Sequence, residues 1–249
     1  MRFAFSKPTA NEDETRTLLT QFRQAGYDGL QLKSGQYMPY LAEPGRFLQQ
    51  WGSQPGVASA LIVANRLDDM GVEQLRRLFG FGKAVGTELV VFCHGVSRKG
   101  LTPSNLCGFA RRLSQLGKEA KDRGLKLSLH HHYDQPVMLR EDLDVFFGAV
   151  HPGAVGLTVD TAHLVKSGVQ DVAGLIRHMA PVIDNFHMKD FASGEFKVLG
   201  EGKIDFAPIF AAVREIGYDG WVSADEESGA ELLSAMDHCH RFMKQGLQG

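Results

Sequence analysis

Short apolar segments alternate with longer amphipathic stretches along the whole chain. The apolar segments are rich in Val, Leu, Ile and Phe and lack strict alternation, which is typical of parallel strands that are buried on both faces. Between them, apolar residues recur at helical spacing, as at Leu75, Leu78 and Phe79. This pattern predicts eight strands, at Arg2–Ser6, Gly29–Lys33, Val57–Asn65, Glu88–His94, Leu125–His132, Ala154–Asp160, Val182–Lys189 and Gly220–Glu226.

The repetition of these units predicts the architecture. Eight strand–helix units in 249 residues, spaced at roughly 30 residues, have the usual size of a (β/α)8 TIM barrel. We therefore expect one α/β domain over residues 1–249, with its longest loops at Ser34–Pro44 and Phe191–Lys203. A doubly wound open sheet is the alternative, but no GxGxxG follows the first strand and no GxxxxGK[ST] occurs anywhere in the chain.

Composition narrows the class of protein further. The 27 Lys and Arg residues nearly balance 29 Asp and Glu, so the chain lacks the basic excess that is expected of a nucleic-acid binder. No apolar segment approaches the roughly 20 residues of a membrane helix, and the first residues lack an apolar signal core. The three cysteines, at positions 93, 107 and 239, form no CxxC pair. We expect a cytoplasmic protein without nucleic-acid or membrane partners.

The ends of the predicted strands carry an unusual set of polar residues. Active-site groups of a TIM barrel gather at the carboxyl ends of its strands. The chain has ten His, and three of them are consecutive. The fifth to eighth strands end with His130, His131 and His132, with Asp160 and then His163, with His187 and Lys189, and with Asp225, Glu226 and Glu227. The second, third and fourth strands end at Lys33, Asn65 and His94, for which we expect a role in substrate binding.

Strand alternation sorts these residues by face. His130 and His132 share one face of their strand, and Asp225 and Glu227 share one face of theirs. If these pairs point into the barrel, His131 and Glu226 point toward the helices.

The chemistry of the set indicates a metal. Two imidazoles and two carboxylates suit one divalent ion such as Mn, Co, Zn or Mg. Such an ion polarises a carbonyl or vicinal hydroxyls of a substrate, so that a nearby base can remove a proton from the adjacent carbon. This logic serves aldose–ketose isomerisation, epimerisation next to a carbonyl, and dehydration by β-elimination.

Four segments carry a family resemblance. GLTVDTAHLVKSG (156–168) resembles a D-x-x-H motif after the sixth strand, and NFHMKDF (185–191) an H-[LM]-K-D motif on the seventh. GEGKIDFAPIFAAVREIGYDGW (200–221) resembles G-x-G-x-[IV]-D-[FW] followed by G-Y-x-G-[WY]. LKLSLHHH (125–132) lies where many members have L-x-[LI]-E-x-H. In these motifs the chain resembles the xylose isomerase-like barrels of the sugar-phosphate isomerase/epimerase family.

The resemblance implies residue roles. Members bind one divalent metal through Glu, Asp, His and Glu on the fifth to eighth strands. Here, the matching positions hold His130, Asp160, His187 and Asp225. His132 and His163 match histidines that contact substrate or metal. We expect His163 to bind substrate and Glu227, His132 and Lys189 to take part in catalysis, although Asp225 and Glu227 could exchange roles and Lys189 could instead pair with Asp190.

One departure from the family bears on the reaction. In epimerases of the family, the two Glu move the proton between the faces of the substrate, and both are replaced here, by His130 and Asp225. A His that ligates through one nitrogen cannot use that nitrogen as a base, which speaks against a two-Glu mechanism. The HHH triplet resembles the inosose dehydratase branch, whose members remove water from a ketocyclitol.

These observations leave several functions open. The first is a metal-dependent sugar isomerase or epimerase that acts on a small keto-sugar, polyol or cyclitol. The second is a dehydratase (lyase), which needs only one base. A catalytically silent metal-binding barrel is a third, and a DNA-repair endonuclease relative is disfavoured by the net charge of -2 and by too few ligand positions. Phosphorylation of the substrate stays open, as does the oligomeric state, for which a homodimer is one expectation.

Overall fold

The computed structural model describes residues Met1–Gly249 and contains a closed barrel of eight parallel strands. The barrel order is β1-β2-β3-β4-β5-β6-β7-β10, with β10 pairing back onto β1. Each barrel strand lies within one of the eight predicted segments, so the predicted fold class is confirmed. The barrel strands are β1 (Arg2–Ser6), β2 (Gly29–Leu32), β3 (Ala60–Asn65), β4 (Leu89–His94), β5 (Lys126–His130), β6 (Gly156–Asp160), β7 (Ile183–Met188) and β10 (Trp221–Asp225).

Ten α-helices connect and surround these strands, and none of them combines the length and the apolar character needed to cross a bilayer. They are α1 (Glu12–Gln21), α2 (Ser34–Tyr37), α3 (Pro44–Trp51), α4 (Asp69–Val85), α5 (Pro103–Lys121), α6 (Arg140–Ala149), α7 (Thr161–Lys166), α8 (Val172–Met179), α9 (Phe206–Glu215) and α10 (Leu232–Gln248). Short 3-10 turns cover Met38–Tyr40 and Ala180–Val182.

Local sequence explains why the helices begin where they do. The side chain of Asp68 accepts a hydrogen bond from the backbone N–H of Gly71 and so caps α4. Thr102 caps α5, and Pro103 occupies the first turn, where its missing N–H costs nothing. The apolar stripes of the helices pack on the outside of the barrel in one cluster of 60 buried residues.

Both expected loops contain structure that the apolar pattern does not reveal. The segment after β2 forms α2 and a 3-10 turn. The segment after β7 forms an antiparallel hairpin of β8 (Asp190–Ala192) and β9 (Glu195–Lys197), with Ser193 and Gly194 in its turn at positive φ. These strands are three residues long, too short for alternation to be visible in the sequence.

The inside of the barrel is divided into an apolar and a polar half. Side chains of β3 and β4 form a small separate apolar cluster. Next to this cluster, Gln31 on β2 reaches Asn185 on β7, and the two exchange hydrogen bonds of 2.7 and 3.0 Å across the barrel. Ser128 and Thr158 continue this polar layer. The polar half lies directly beneath the strand ends that carry the His and Asp residues.

The amino end of the barrel is closed by an ion pair and an indole. The guanidinium of Arg2 makes two hydrogen bonds, of 2.6 and 2.7 Å, to the carboxylate of Glu88. It also lies 4.0 Å above the ring of Trp221, whose Nε1 donates to Glu88. Each polar group of this set therefore has a partner.

Candidate metal and substrate site

A cavity of about 210 Å³ opens at the carboxyl end of the barrel. Asp160, which is fully buried, lies beneath it. The cavity brings together eight of the eleven predicted site residues: Lys33, His130, His132, His163, His187, Lys189, Asp225 and Glu227.

Asp160 is the centre of the constellation. Its Oδ1 caps α7 by accepting from the backbone N–H of His163 at 2.9 Å, which is the structural meaning of the D-x-x-H spacing. Its Oδ2 lies 3.3 Å from Nε2 of His130. The backbone N–H of Asp160 donates to Nε2 of His131 at 2.9 Å, so His131 faces away from the cavity, as alternation predicts, and supports Asp160 from behind.

His187 is held in one orientation by Gln31. Its Nε2 lies 2.8 Å from the Gln31 side-chain oxygen. Because that oxygen can only accept, Nε2 carries the proton and the lone pair of Nδ1 points the other way. Nδ1 is buried without a hydrogen-bond partner, 3.7 Å from Asp225 Oδ2 and 4.0 Å from Asp160 Oδ2. Burial lowers the pKa of His187 to about 3. A neutral lone pair therefore faces two carboxylates.

Two ammonium groups lie among the acids. Nζ of Lys189 lies 2.6 Å from Asp225, 2.8 Å from Glu227 and 3.7 Å from Asp160. Nζ of Lys33 lies 2.6 Å from Asp225 and 2.8 Å from Glu227. Lys189 therefore pairs with the acids of the cavity and not with Asp190.

The electrostatics of this set leave an excess of negative charge. Burial opposes ionisation of Asp160 and Asp225, but the Lys189 ammonium outweighs it and holds the pKa of both carboxyls well below their usual range. Burial also opposes protonation of Lys189, yet Asp225 and Asp160 raise the pKa of its ammonium. Three carboxylates, including Glu227, thus face two ammonium groups. Burial opposes protonation of His130, but Cys93 and Asp160 raise its pKa to about 10, so the acids of this site draw a further positive charge.

His132 and His163 form a closely packed pair of rings, tilted by 37° to each other. Their ring centroids are 3.7 Å apart, and burial lowers the pKa of each. Nδ1 of His132 lies 2.9 Å from the backbone carbonyl of Tyr133, which can only accept. Nδ1 therefore carries the proton, and the lone pair of Nε2 is free for a substrate or a metal.

The donor atoms fit a divalent metal in two overlapping groups. His130, Asp160 and His163 offer atoms within 4.8 Å of one another, and so do Asp160, His187 and Asp225. The other three predicted ligands, His130, His187 and Asp225, therefore each have a donor atom close to Asp160, and His163 joins them. The unpartnered Nδ1 of His187 is the strongest sign, because a buried acceptor between two carboxylates needs a cation.

Asp190 explains the last residue of the H-[LM]-K-D motif. Its carboxylate accepts from the backbone N–H groups of Phe191, Gly200, Gly202 and Ile204 at 2.7 to 3.2 Å. A Cβ at Gly202 would overlap this carboxylate, which accounts for a glycine there. Asp190 thereby anchors the β8–β9 hairpin and the loop that follows it at the mouth of the barrel.

Asn65 and His94, which were expected to bind substrate, do not line the cavity at the barrel mouth. The amide of Asn65 donates to the backbone carbonyl of Gly71 at the start of α4. His94 points outward, with its ring centroid 4.4 Å from that of Phe109 on α5. Alternation is the reason, since Cys93 and Ala64, one residue earlier on each strand, line the cavity instead.

Three residues that the sequence did not single out contribute to the site. Gln31 orients His187, and Cys93 Sγ lies 3.4 Å from Nδ1 of His130. Gln135 lines the cavity with a buried side-chain oxygen that has no partner. Counting back by two from Lys33 along its strand could have found Gln31, but Gln135 follows the strand in a loop, where no periodicity applies.

Comparison with known proteins agrees with this architecture. Curated inosose dehydratases are among the similar sequences: the protein of Clostridium beijerinckii is 29% identical, covering 53% of this chain and 50% of its own length. That of Lacticaseibacillus casei is 32% identical, covering 54% and 51%. The chain thus spans about half the length of the curated relatives it matches.

Solved structures share the fold over nearly the whole chain. A crystal structure of the IolI protein with a bound zinc atom superposes with a TM-score of 0.82 at 18% identity, covering 100% of this chain and 98% of that one. An L-ribulose 3-epimerase gives 0.83 at 22% identity, covering 99% and 94%. The sequence model described as xylose isomerase-like TIM barrel matches residues 19–245. The chain belongs to the xylose isomerase-like TIM barrel family.

Proposed function

We propose that the protein is a dehydratase that removes a proton from the carbon next to the ketone of a small polyhydroxylated substrate and then expels the β-hydroxyl as water. One observation carries the proposal. Glu227 is the single carboxylate that lines the cavity outside both candidate metal groups. Epimerisation needs a base on each face of the substrate carbon, whereas this elimination needs one. The similarity to curated inosose dehydratases supports the same reaction class.

The metal would be held by His130, Asp160, His187 and Asp225, with His163 as a further donor. A bound divalent ion would supply Lewis-acid polarisation of the substrate ketone. Gln31 contributes by fixing the proton of His187 on Nε2, so that Nδ1 keeps its lone pair.

The chain's own groups then account for the proton transfers. Glu227, whose side chain is 30% exposed, takes the proton as the C–H bond breaks. The electron pair forms the new C=C bond while the β C–O bond breaks, and Glu227 returns its proton to the departing hydroxyl, which leaves as water. Lys33 and Lys189 keep Glu227 ionised beforehand and can hold substrate oxygens. His132 Nε2 can accept a hydrogen bond from a substrate hydroxyl.

An isomerase or epimerase is the second candidate, because His132 Nε2 faces the same cavity as Glu227 and would be a base on the other side. A panel of inososes and ketoses incubated in D2O separates the two. Loss of water from the substrate supports the dehydratase, whereas deuterium uptake without loss of mass supports the second candidate.

Substitution of the proposed base provides the residue-level test. Glu227→Gln should abolish turnover without removing bound metal, while Glu201→Gln, an exposed acid on a neighbouring loop, should leave turnover unchanged. Full turnover in Glu227→Gln would refute the assigned base.

A further inference from the structure

A second cavity, of about 520 Å³, lies outside the barrel wall. It is bordered by residues 66–68 between β3 and α4, by the end of β4 and the loop after it, by α5 and by Pro136. Its lining shares no residue with the cavity at the barrel mouth. The two cavities are back to back: Cys93 and Gln135 face the barrel mouth, whereas their chain neighbours His94 and Pro136 face the second cavity. Its volume is within the range of small-molecule sites.

Apolar side chains and the ring of His94 form much of the lining of this cavity. Leu101, Leu106 and Phe109 contribute the apolar surface, and the ring of His94 packs on Phe109. Nδ1 of His94 is buried and has no hydrogen-bond partner. A buried nitrogen without a partner is destabilising, and a polar atom of a bound molecule would satisfy it.

The rim is positively charged. Arg66 makes no ion pair or side-chain hydrogen bond, and Arg112 has only a long contact of 3.5 Å to the fully exposed Asp69. The one acid of the lining, Asp68, is engaged in capping α4 through the N–H of Gly71. Two guanidinium groups with free donors therefore flank these apolar side chains, and guanidinium pairs well with carboxylates.

We propose that this second cavity binds a small planar organic anion. Its ring lies on Phe109 and the neighbouring leucines, its carboxylate contacts Arg66 and Arg112, and His94 Nδ1 pairs with one of its polar atoms. The site is independent of the reaction at the barrel mouth and does not depend on the proposed function.

Benzoate is the probe, with benzyl alcohol as its neutral counterpart. Isothermal titration of the full chain should show saturable benzoate binding and much weaker binding of benzyl alcohol. Arg112→Met should weaken benzoate binding about tenfold. Arg111→Met is the matched control, because this neighbouring exposed arginine lies outside the lining, and it should bind benzoate as the original chain does.

NMR of the histidine rings locates the bound probe. Benzoate should shift the His94 signals, assigned through His94→Gln, and leave those of His132 and His163 unchanged. Absence of benzoate binding, equal binding by Arg112→Met, or shifts confined to His132 and His163 would each overturn the proposal.

Discussion

The two ends of the barrel carry similar charged residues but pair them differently. At the amino end, Arg2, Glu88 and Trp221 satisfy one another. At the carboxyl end, three carboxylates meet two ammonium groups, and His187 Nδ1 and the Gln135 oxygen are buried without partners. Unsatisfied buried groups cost stability, so a protein keeps them where a ligand will satisfy them. The comparison teaches that incomplete pairing marks the functional end better than polarity alone.

The largest expected difference between the ends is metal binding. The protein should hold about one divalent ion per chain, and His187→Ala or Asp160→Ala should remove it, because each deletes a central donor. Elemental analysis of purified protein measures this, with circular dichroism to check folding. Full metal occupancy in both variants would rule out the site.

Removal of the buried ammonium group of Lys189 should have the next largest effect, a loss of stability. Lys189→Met leaves Asp160 and Asp225 facing each other, so the free energy of unfolding of metal-free protein should fall by about 3 kcal/mol. A divalent ion should restore part of this loss. Lys197→Met, which removes a surface pair with Glu195, should cost less than about 0.5 kcal/mol in the same denaturant titration. Equal losses of stability in the two variants would contradict the expected difference between the buried and the surface lysine.

Loss of the Gln31 acceptor should weaken metal binding without deleting a ligand. Gln31→Met frees the ring of His187, and metal affinity should fall by about 10- to 100-fold. Gln31→Glu keeps an acceptor for Nε2 and should recover most of the affinity. Competition with a chromophoric chelator measures both variants, and unchanged affinity in Gln31→Met would show that Gln31 does not position His187.

A smaller effect concerns pH at the amino end. Burial raises the pKa of Asp184 to about 6, above its value in the unfolded chain. The folded state therefore binds the proton more tightly, and this contribution to stability is lost as pH rises from about 4 through 6. Asp184→Asn should remove this part of the pH dependence from chemical denaturation curves. An identical pH profile in the variant would contradict it.

The smallest effect on stability is expected from a substitution in the ion pair at the amino end. Arg2 and Glu88 are about half exposed, so Arg2→Met should lower the free energy of unfolding by less than about 1 kcal/mol and leave metal content unchanged. Thermal unfolding with elemental analysis checks both points. Loss of metal in this variant would show that the two ends are coupled.

Sequence predicted the barrel and most of the constellation because periodicity and strand parity carry that information. Alternation correctly placed His130 with His132 and Asp225 with Glu227 in the cavity. The same rule turns His94 outward once Cys93, the residue before it on β4, is taken as the one that faces the cavity. Alternation could not predict contacts across the barrel, such as that of Gln31 with His187, because these contacts depend on how the eight strands close into a barrel. The short hairpin after β7 also escaped, since three-residue strands carry no pattern.

The Asp190 anchor has a consequence for how this mouth could change over evolution or by design. One carboxylate secures the segment through backbone N–H groups, which every residue except proline provides. The hairpin tip at residues 193–195 is thus free to vary in sequence and length while Asp190 and Gly202 stay. Grafts confined to this tip should leave the donor cluster intact, because Phe196, which packs on His163 and Lys189, stays in place.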